Sequence, residues 1–120
     1  MLRMFGIIFY EDRNGKSPVA DYLEELNSAS DKSNQVRYRK IIRYISLLEQ
    51  YGTMAGLPAS RHIEDNIWEL RPMNDRFLYA YWKDNKFVIL HHFVKKTQKT
   101  PRAEIEQAKR NLKDFLDRSD

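Results

Sequence analysis

Three structural signals follow one another in the segment Phe87-Val88-Ile89-Leu90-His91-His92-Phe93-Val94-Lys95-Lys96-Thr97-Gln98-Lys99-Thr100-Pro101. Residues 87–94 are the most hydrophobic run of the chain and predict a central β-strand. Thr100-Pro101 is a typical helix start, with a hydroxyl that can cap the helix and a proline at its first position. The lysine-rich residues between these two signals therefore form a turn that joins a strand to a helix.

Upstream of this segment, the first half of the chain predicts one strand and two helices. Alternating apolar residues indicate an N-terminal strand over 5–10. A helical period follows over 18–26 and again over 32–51, where Gly52 is the expected C-cap. Two helices joined so closely form an antiparallel hairpin.

After a loop over 52–60, the period changes to two. Strands are predicted over 61–64, 67–71 and 76–82, and the strand over 87–94 follows them. We therefore expect an α+β fold of the following composition: an N-terminal strand, a helical hairpin, an antiparallel sheet of three to four further strands, and a C-terminal helix.

The composition excludes several classes of protein. The 120 residues suit one domain over 1–120, and no apolar run approaches the roughly 18 residues that span a bilayer. There is no cysteine, so disulfides, thiolate metal sites and thiol nucleophiles are excluded. No histidine or acid cluster has metal-ligand spacing, and no Gly-rich phosphate loop is present. We expect a cytoplasmic protein that needs no metal or cofactor and has no membrane partner.

The net charge of +4 is concentrated in one place. Residues 95–102 contain four bases and no acid, and the bases are Lys95, Lys96, Lys99 and Arg102. Without these four, the 21 bases of the chain fall to 17, which equals the 17 acids. A local excess of this kind attracts anionic partners. The helix start beside it adds unpaired N–H groups, so we predict a phosphate-binding patch rather than a merely solvated turn.

Two arginines and a glutamate lie near this turn in the predicted sheet. Residues two apart on a strand share a face, so Glu69 and Arg71 point the same way. Arg76 opens the next strand after a tight turn, which makes it a neighbour of Arg71. Adjacent arginines repel each other unless an anion or an acid lies between them, and their forked guanidinium groups suit phosphate oxygens. The alternative is an exposed turn in which Glu69 and Asp75 are the partners of the arginines.

Other polar residues carry weaker signals. His91 and His92 are consecutive on a strand, so at most one of them can face the basic turn. A single histidine at a sheet end is more often packed or hydrogen-bonded than catalytic. Arg37, Lys40 and Arg43 lie on the polar side of the second helix, where we expect a solvated face, and the alternative is a secondary nucleic-acid contact.

Part of the chain resembles a known family. The motifs are Trp68-Glu69-Leu70-Arg71-Pro72, then Arg76-Phe77, then residues 89–101 as quoted above, and Glu104-Ile105-Glu106-Gln107-Ala108. Over about residues 67–110 they resemble the HigB-like, phage-derived branch of the RelE/ParE toxin superfamily. The string Phe-x-Lys-Lys-Thr-x-Lys-Thr-Pro is quite specific, whereas Glu-Leu-Arg alone is weak. The family more often has a small residue where this chain has His92.

The resemblance implies a RelE-like fold and the toxin of a type II toxin–antitoxin system. Such a toxin is a metal-independent mRNA endoribonuclease that cuts mRNA on the ribosome, and a cognate antitoxin, often a helix-turn-helix protein, silences it. The catalytic residues carried over by position are Arg71, Arg76, Lys95, Lys96 and Lys99, with the arginines as phosphate clamps and the lysines as electrostatic and proton-transfer groups. The expected RNA contacts are Glu69, His91, His92, Thr97, Gln98, Thr100 and Arg102.

Two questions stay open at this point. The general base that takes the proton of the 2′-hydroxyl is a lysine of the turn, Glu69 or His91. The function itself has two alternatives, namely a ParE-like poison of DNA gyrase that acts through protein contacts, and a plain RNA-binding module.

Overall fold

The computed structural model describes residues 4–55 and 59–119, and these contain five strands and three α-helices. The strands are β1 (Gly6–Phe9), β2 (Ser60–Glu64), β3 (Ile67–Leu70), β4 (Asp75–Tyr81) and β5 (Lys86–Val94). The helices are α1 (Pro18–Ser28), α2 (Lys32–Tyr51) and α3 (Arg102–Arg118). All predicted elements are present with ends within two residues of the expected ones. The predicted loop over 52–60 lies partly outside the described residues, and it begins with a short 3-10 helix, Gly52–Ala55.

The strands form one mixed sheet in the order β1-β5-β4-β3-β2. The four strands from β2 to β5 are antiparallel, as predicted, whereas β1 runs parallel to β5. A parallel neighbour requires a long crossover connection, and the helical hairpin lies within the segment that separates the two strands. The expectation that β5 is the central strand is wrong. β4 is the middle strand of the five, with two strands on each side, whereas only β1 lies beyond β5. β5 is nevertheless an interior strand with a neighbour on each side.

Helices cover both faces of the sheet. We call the face under α1 and α2 the hairpin face, and its core contains Leu70, Phe77, Tyr79, Phe87 and Ile89. We call the other face the α3 face, and its core contains Ile67, Leu78, Ala80, Val88 and Leu90, packed against Ala108. Each large apolar side chain buried in this way contributes about 1.5–3 kcal/mol. Two cores, one on each face, therefore hold the sheet, which explains why β5 reads as a continuous apolar run.

Local sequence signals set most of the helix ends. Ser17 and Asp31 cap α1 and α2 by accepting hydrogen bonds from the backbone N–H three residues later, at 3.4 and 3.1 Å. Gly52 ends α2 at a φ of 59°, a left-handed conformation that favours glycine. The predicted cap of α3 is wrong, because Pro101 is its N-cap residue and no side chain caps it. The hydroxyl of Thr100 is used elsewhere, as described below.

A β-bulge in β5 decides which face each histidine occupies. His91, and not Leu90, opposes Leu78 of β4, so Leu90 is the extra residue. A bulge reverses the alternation of side chains beyond it. Leu90 and His91 therefore both lie on the α3 face, whereas His92 lies on the hairpin face.

Candidate functional site

A buried carboxylate lies at the centre of a polar cluster on the α3 face. Glu69 in β3 is 1% exposed. Its Oε1 forms ion pairs with Arg61 Nε at 3.3 Å and with Arg71 Nε at 3.5 Å. Its Oε2 accepts a hydrogen bond from Thr100 Oγ1 at 2.7 Å, and Arg61 Nη2 donates to the same hydroxyl at 3.3 Å. We call Glu69, Arg61, Arg71 and Thr100 the Glu69 cluster. A buried charge is tolerated only when it is paired, so the carboxylate of Glu69 keeps the two arginines beside it.

A third arginine supports the turn between β3 and β4. Arg76 is 6% exposed, and its Nη1 donates to Met73 O at 2.8 Å and to Asp75 O at 2.9 Å. Burial lowers the pKa of Arg76, and the neighbouring charge of Arg71 lowers that pKa further. Arg61 and Arg71 share the carboxylate of Glu69, and Arg76 adds a third positive charge nearby, which makes this end of the sheet positively charged.

The turn over 95–99, which we call the lysine turn, is attached at both ends. Lys95 N donates to Asn74 O at 2.8 Å, and at the other end Thr100 donates to Glu69. Inside the turn, Thr97 Oγ1 donates to Lys99 O at 3.0 Å. Lys95 is partly buried, and the other four residues are exposed. Within the described residues 4–55 and 59–119, Lys95, Lys96 and Lys99 form no ion pair, so their charges are available to an anion.

A second buried carboxylate lies on the hairpin face. Asp75 Oδ1 accepts hydrogen bonds from Tyr22 Oη at 2.7 Å and Arg37 Nη2 at 2.9 Å, and it lies 2.8 Å from His92 Nε2. The ring of Tyr22 stacks on His92 with centroids 3.9 Å apart. Burial by itself would raise the pKa of Asp75, but the hydrogen bonds from His92, Arg37 and Tyr22 lower it to about 2. These four residues, the Asp75 cluster, join α1, α2, β4 and β5.

The other histidine has a carboxylate partner on the α3 face. His91 Nε2 lies 2.7 Å from Glu104 Oε1 in the first turn of α3. His91 opposes Leu78 in the register, and Leu78 opposes Glu69 on its other side. His91 and Glu69 thus lie on the same face and in the same cross-strand row, separated by one strand.

A comparison with protein families identifies the family of this chain. The family model described as "Phage derived protein Gp49-like (DUF891)" matches residues 24–113. The chain belongs to this Gp49-like family. The family is toxin-like and of the RelE type, which supports a toxin role and implies an antitoxin partner. The matched range of the Gp49-like chain includes the Glu69 cluster and the lysine turn. A comparison with curated proteins finds no significant match.

The fold brings most of the predicted catalytic residues of the Gp49-like chain to one end of the sheet. Arg71 and Arg76 lie on the α3 face, and the lysine turn leads from the end of β5 to Thr100 in the Glu69 cluster. Among the predicted RNA contacts, Thr97 and Gln98 are exposed in the lysine turn, and His91 lies on the same face as Glu69.

Several predicted contacts must be corrected. Glu69 and Thr100 are buried and bonded to each other, so they hold the site together and cannot contact RNA directly. His92 lies on the opposite face of the sheet, bonded to Asp75, because the bulge at Leu90 turns it there. The burial of Glu69 and Thr100 argues against a direct RNA contact by either side chain, and the partly buried His92 lies on the other face of the sheet from Glu69.

Two basic residues were also placed wrongly by charge alone. Arg102 is not part of an unpaired patch, since its guanidinium binds Glu64 at 2.5 Å and Glu106 at 3.0 Å, and these bonds raise its pKa. The excess charge is therefore confined to the lysine turn and the neighbouring arginines. Arg37 does not belong to a solvated face of α2, because it pairs with the buried Asp75.

Sequence reasoning did not assign Arg61 to the site. A simple two-residue hairpin between β2 and β3 would pair Arg61 with Leu70 and turn its side chain to the hairpin face. A bulge at Ile63 shifts the register, so that Arg61 opposes Glu69 and reaches its carboxylate. Nothing in the local sequence marks this bulge.

The described residues also lack a preformed metal site and a membrane-spanning helix. No group of three or more His, Cys, Asp or Glu side chains is arranged there to hold a metal ion. Among the helices of residues 4–55 and 59–119, none combines the length and apolar character needed to cross a bilayer.

Proposed function

We propose that this chain is a HigB-like toxin of a type II toxin–antitoxin system and that it cuts ribosome-bound mRNA as a metal-independent endoribonuclease. The observation that carries the proposal is the lysine turn, whose three cations have no acidic partner among the described residues and lie beside the Glu69 cluster. Membership of a toxin-like family supports it. The proposed setting is the cytoplasm, with a single domain over 1–120 and with mRNA, the ribosome and a helix-turn-helix antitoxin as partners.

Cleavage of RNA without a metal ion requires three events at one phosphate. The 2′-hydroxyl loses its proton and attacks phosphorus, and the phosphorane that forms carries additional negative charge. The bond from phosphorus to the 5′-oxygen then breaks as that oxygen gains a proton, which yields a 2′,3′-cyclic phosphate and a 5′-hydroxyl. Preorganised donors at the developing charge contribute about 3–4 kcal/mol each. We assign this stabilisation to Arg71 and to the lysines of the turn.

The buried members of the site position the exposed ones. Glu69 holds the guanidinium group of Arg71 nearby through an ion pair of 3.5 Å that is not a hydrogen bond, and it anchors the end of the lysine turn through Thr100. Arg76 is too deeply buried to clamp a phosphate freely, and we assign it to the support of the turn between β3 and β4. This arrangement preorganises the cations, which lowers the cost of reorganisation during the reaction.

For the proton of the 2′-hydroxyl we propose His91 as the general base. Of the three candidates, Glu69 is excluded by its burial. His91 has a carboxylate partner, Glu104, that orients the ring and stabilises the imidazolium formed when the proton arrives. A lysine of the turn then serves as the proton donor to the 5′-oxygen. His91→Gln should reduce cleavage strongly, because glutamine cannot accept the proton of the 2′-hydroxyl.

Primer extension on mRNA after brief induction tests the activity. New 5′ ends that appear only during translation support ribosome-dependent cutting. Intact mRNA together with a DNA-damage response would instead indicate a gyrase poison. RNA that is protected rather than cut would indicate a plain RNA-binding module.

Two variants test the assignment of residues. Arg71→Ala and Lys95→Ala should each reduce cleavage at least 100-fold and abolish toxicity, while the protein stays folded and bound to its antitoxin. The matched control is Lys113→Ala, which removes a lysine paired with Asp117 on α3 and should stay toxic. Full toxicity of both site variants would overturn the assignment.

A further inference from the structure

A groove on the hairpin face adjoins the proposed phosphate site but has no role in it. Its volume is about 640 Å³, within the range of about 300–1,000 Å³ that ligand pockets occupy. It lies between the start of α2, the turn that joins β3 to β4, and the last residue of β5. Three apolar side chains line it and stay accessible to solvent, namely Val36 (37% exposed), Met73 (50%) and Val94 (47%).

The backbone of Met73 is held in a conformation that methionine rarely adopts. Its φ is 55°, in the left-handed region, and the donation of Arg76 Nη1 to its carbonyl at 2.8 Å holds it there. The side chain gains little burial in return, since half of it is exposed. Strain that is maintained without a gain in packing points to a role at the surface.

The charges around the groove favour an anionic ligand. Lys32 and Arg37 line it, and no carboxylate does. Arg37 is already paired with Asp75, whereas Lys32 forms no ion pair within the part of the chain that the structure describes. The groove is also continuous with the lysine turn, because Val94 precedes Lys95 and Asn74 O, in the wall of the groove, accepts the N–H of Lys95.

We propose that this groove binds an unstacked base of single-stranded RNA while the lysine turn holds a neighbouring phosphate. The inference rests on the proposed function and names a subsite for its substrate. Splayed bases stack on aromatic side chains, flipped bases are also held between apolar ones, and the sulfur of methionine makes favourable contacts with aromatic rings. The apolar walls formed by Val36, Met73 and Val94 provide such surfaces, and Lys32 neutralises a further phosphate at the rim.

Methyl and amide NMR of the full chain tests the groove directly. The first probe is a random-sequence pool of 2′-O-methyl hexanucleotides, which cannot form the cyclic phosphate and are therefore not cut. The second probe is a hexamer of abasic residues with the same phosphates. We expect the pool to shift the methyl signals of Val36, Met73 and Val94 as well as the amides of the lysine turn, and the abasic hexamer to shift only the amides.

The result separates the inference from the function on which it rests. If both probes shift the lysine-turn amides and neither shifts the groove methyls, the base subsite is wrong and the phosphate site stands. If the lysine-turn amides respond to neither probe, both the phosphate site and the subsite are wrong.

Variants with a matched control complete the test. Val36→Ser and Met73→Asn should each weaken binding of the random pool about tenfold and leave binding of the abasic hexamer unchanged. Ile42→Ser alters a residue of α2 that is equally exposed (39%) but lies outside the groove, and it should bind both probes like the unaltered protein. Groove variants that bind RNA normally but escape silencing by a co-expressed antitoxin would assign the groove to an antitoxin peptide and overturn the proposal.

Discussion

In an Asp75→Asn variant, the carboxylate that joins α1, α2, β4 and β5 becomes a neutral amide of the same shape. Asparagine can still accept hydrogen bonds from Tyr22 and His92 through its carbonyl oxygen. Its amide nitrogen would replace Oδ2, which accepts a hydrogen bond from Arg37 Nε at 3.3 Å, so a donor would meet a donor there and the charge of the ion pair would be lost. We therefore expect the variant to fold but to be less stable.

The lowered pKa of Asp75 gives the size of the expected loss in the free energy of unfolding. It lies at about 2, against an ordinary value of 3.8, and a difference of one pKa unit corresponds to roughly 1.4 kcal/mol. The ionised carboxylate thus contributes about 2 kcal/mol to the free energy of unfolding at pH 7. The unfavourable contact of the amide with Arg37 raises the expected loss to between about 2 and about 4 kcal/mol.

The sign of the pH dependence follows from the direction of the shift. A carboxyl group whose pKa is lowered by folding stabilises the protein above its ordinary pKa, and this contribution disappears as the pH falls from about 4 to about 2. The gap between the unaltered protein and Asp75→Asn should be constant down to pH 5. About half of the 2 kcal/mol contribution of the charge should be gone at pH 3.

Urea unfolding followed by circular dichroism, at several pH values from 7 to 3, measures this gap. The control is Asp117→Asn, which removes an exposed carboxylate of α3 that pairs with Lys113 and should change stability by less than about 0.5 kcal/mol at every pH. A gap below about 1 kcal/mol at pH 7, or one that does not narrow between pH 5 and pH 3, would refute the role of the Asp75 charge.

Three further predictions concern the site. Replacing Lys95, Lys96 and Lys99 together by glutamine should make the slope of log K for RNA against log salt shallower by about 2, since each phosphate neutralised on a single strand contributes about 0.7. The control replaces the exposed α2 residues Arg39, Lys40 and Arg43 by glutamine, and it should leave the slope unchanged. Met73→Asn should raise the free energy of unfolding by about 0.5–1 kcal/mol because asparagine tolerates a left-handed backbone, and a loss in urea unfolding would contradict the strain. Glu69→Gln should lower the free energy of unfolding by about 2–3 kcal/mol, because two arginines lose their counter-charge. A change below about 0.5 kcal/mol would contradict the role of the carboxylate.

Local signals were sufficient to predict the elements of this fold. The pair Ser17-Pro18 marked the start of α1, and the apolar period ending at Gly52 predicted the bounds of α2. The rule that residues two apart share a face was sufficient to predict that Glu69 and Arg71 point the same way, because no bulge lies between them. The sequence by itself also determined where unpaired charge collects, since Lys95, Lys96 and Lys99 have no acid within several residues.

Only the tertiary structure decided the partners of the polar side chains. The bulge at Leu90 sends His91 to Glu104 and His92 to Asp75, and the bulge at Ile63 turns Arg61 towards Glu69. One inserted residue exchanges the two faces of a strand, and its position depends on how the strand packs against its neighbours rather than on the residues beside it.

A tertiary contact also decides how the lysine turn is held before α3. The pair Thr100-Pro101 has the composition of a helix cap, but the carboxylate of Glu69, 31 positions away in the chain, accepts the hydrogen bond of the threonine hydroxyl. A buried charge needs a partner more than an exposed helix end does, since the end can be satisfied by water. The sequence by itself therefore determined that cations gather between β5 and α3, and the buried acid, which only the tertiary structure brings to Thr100, decided how their turn is held.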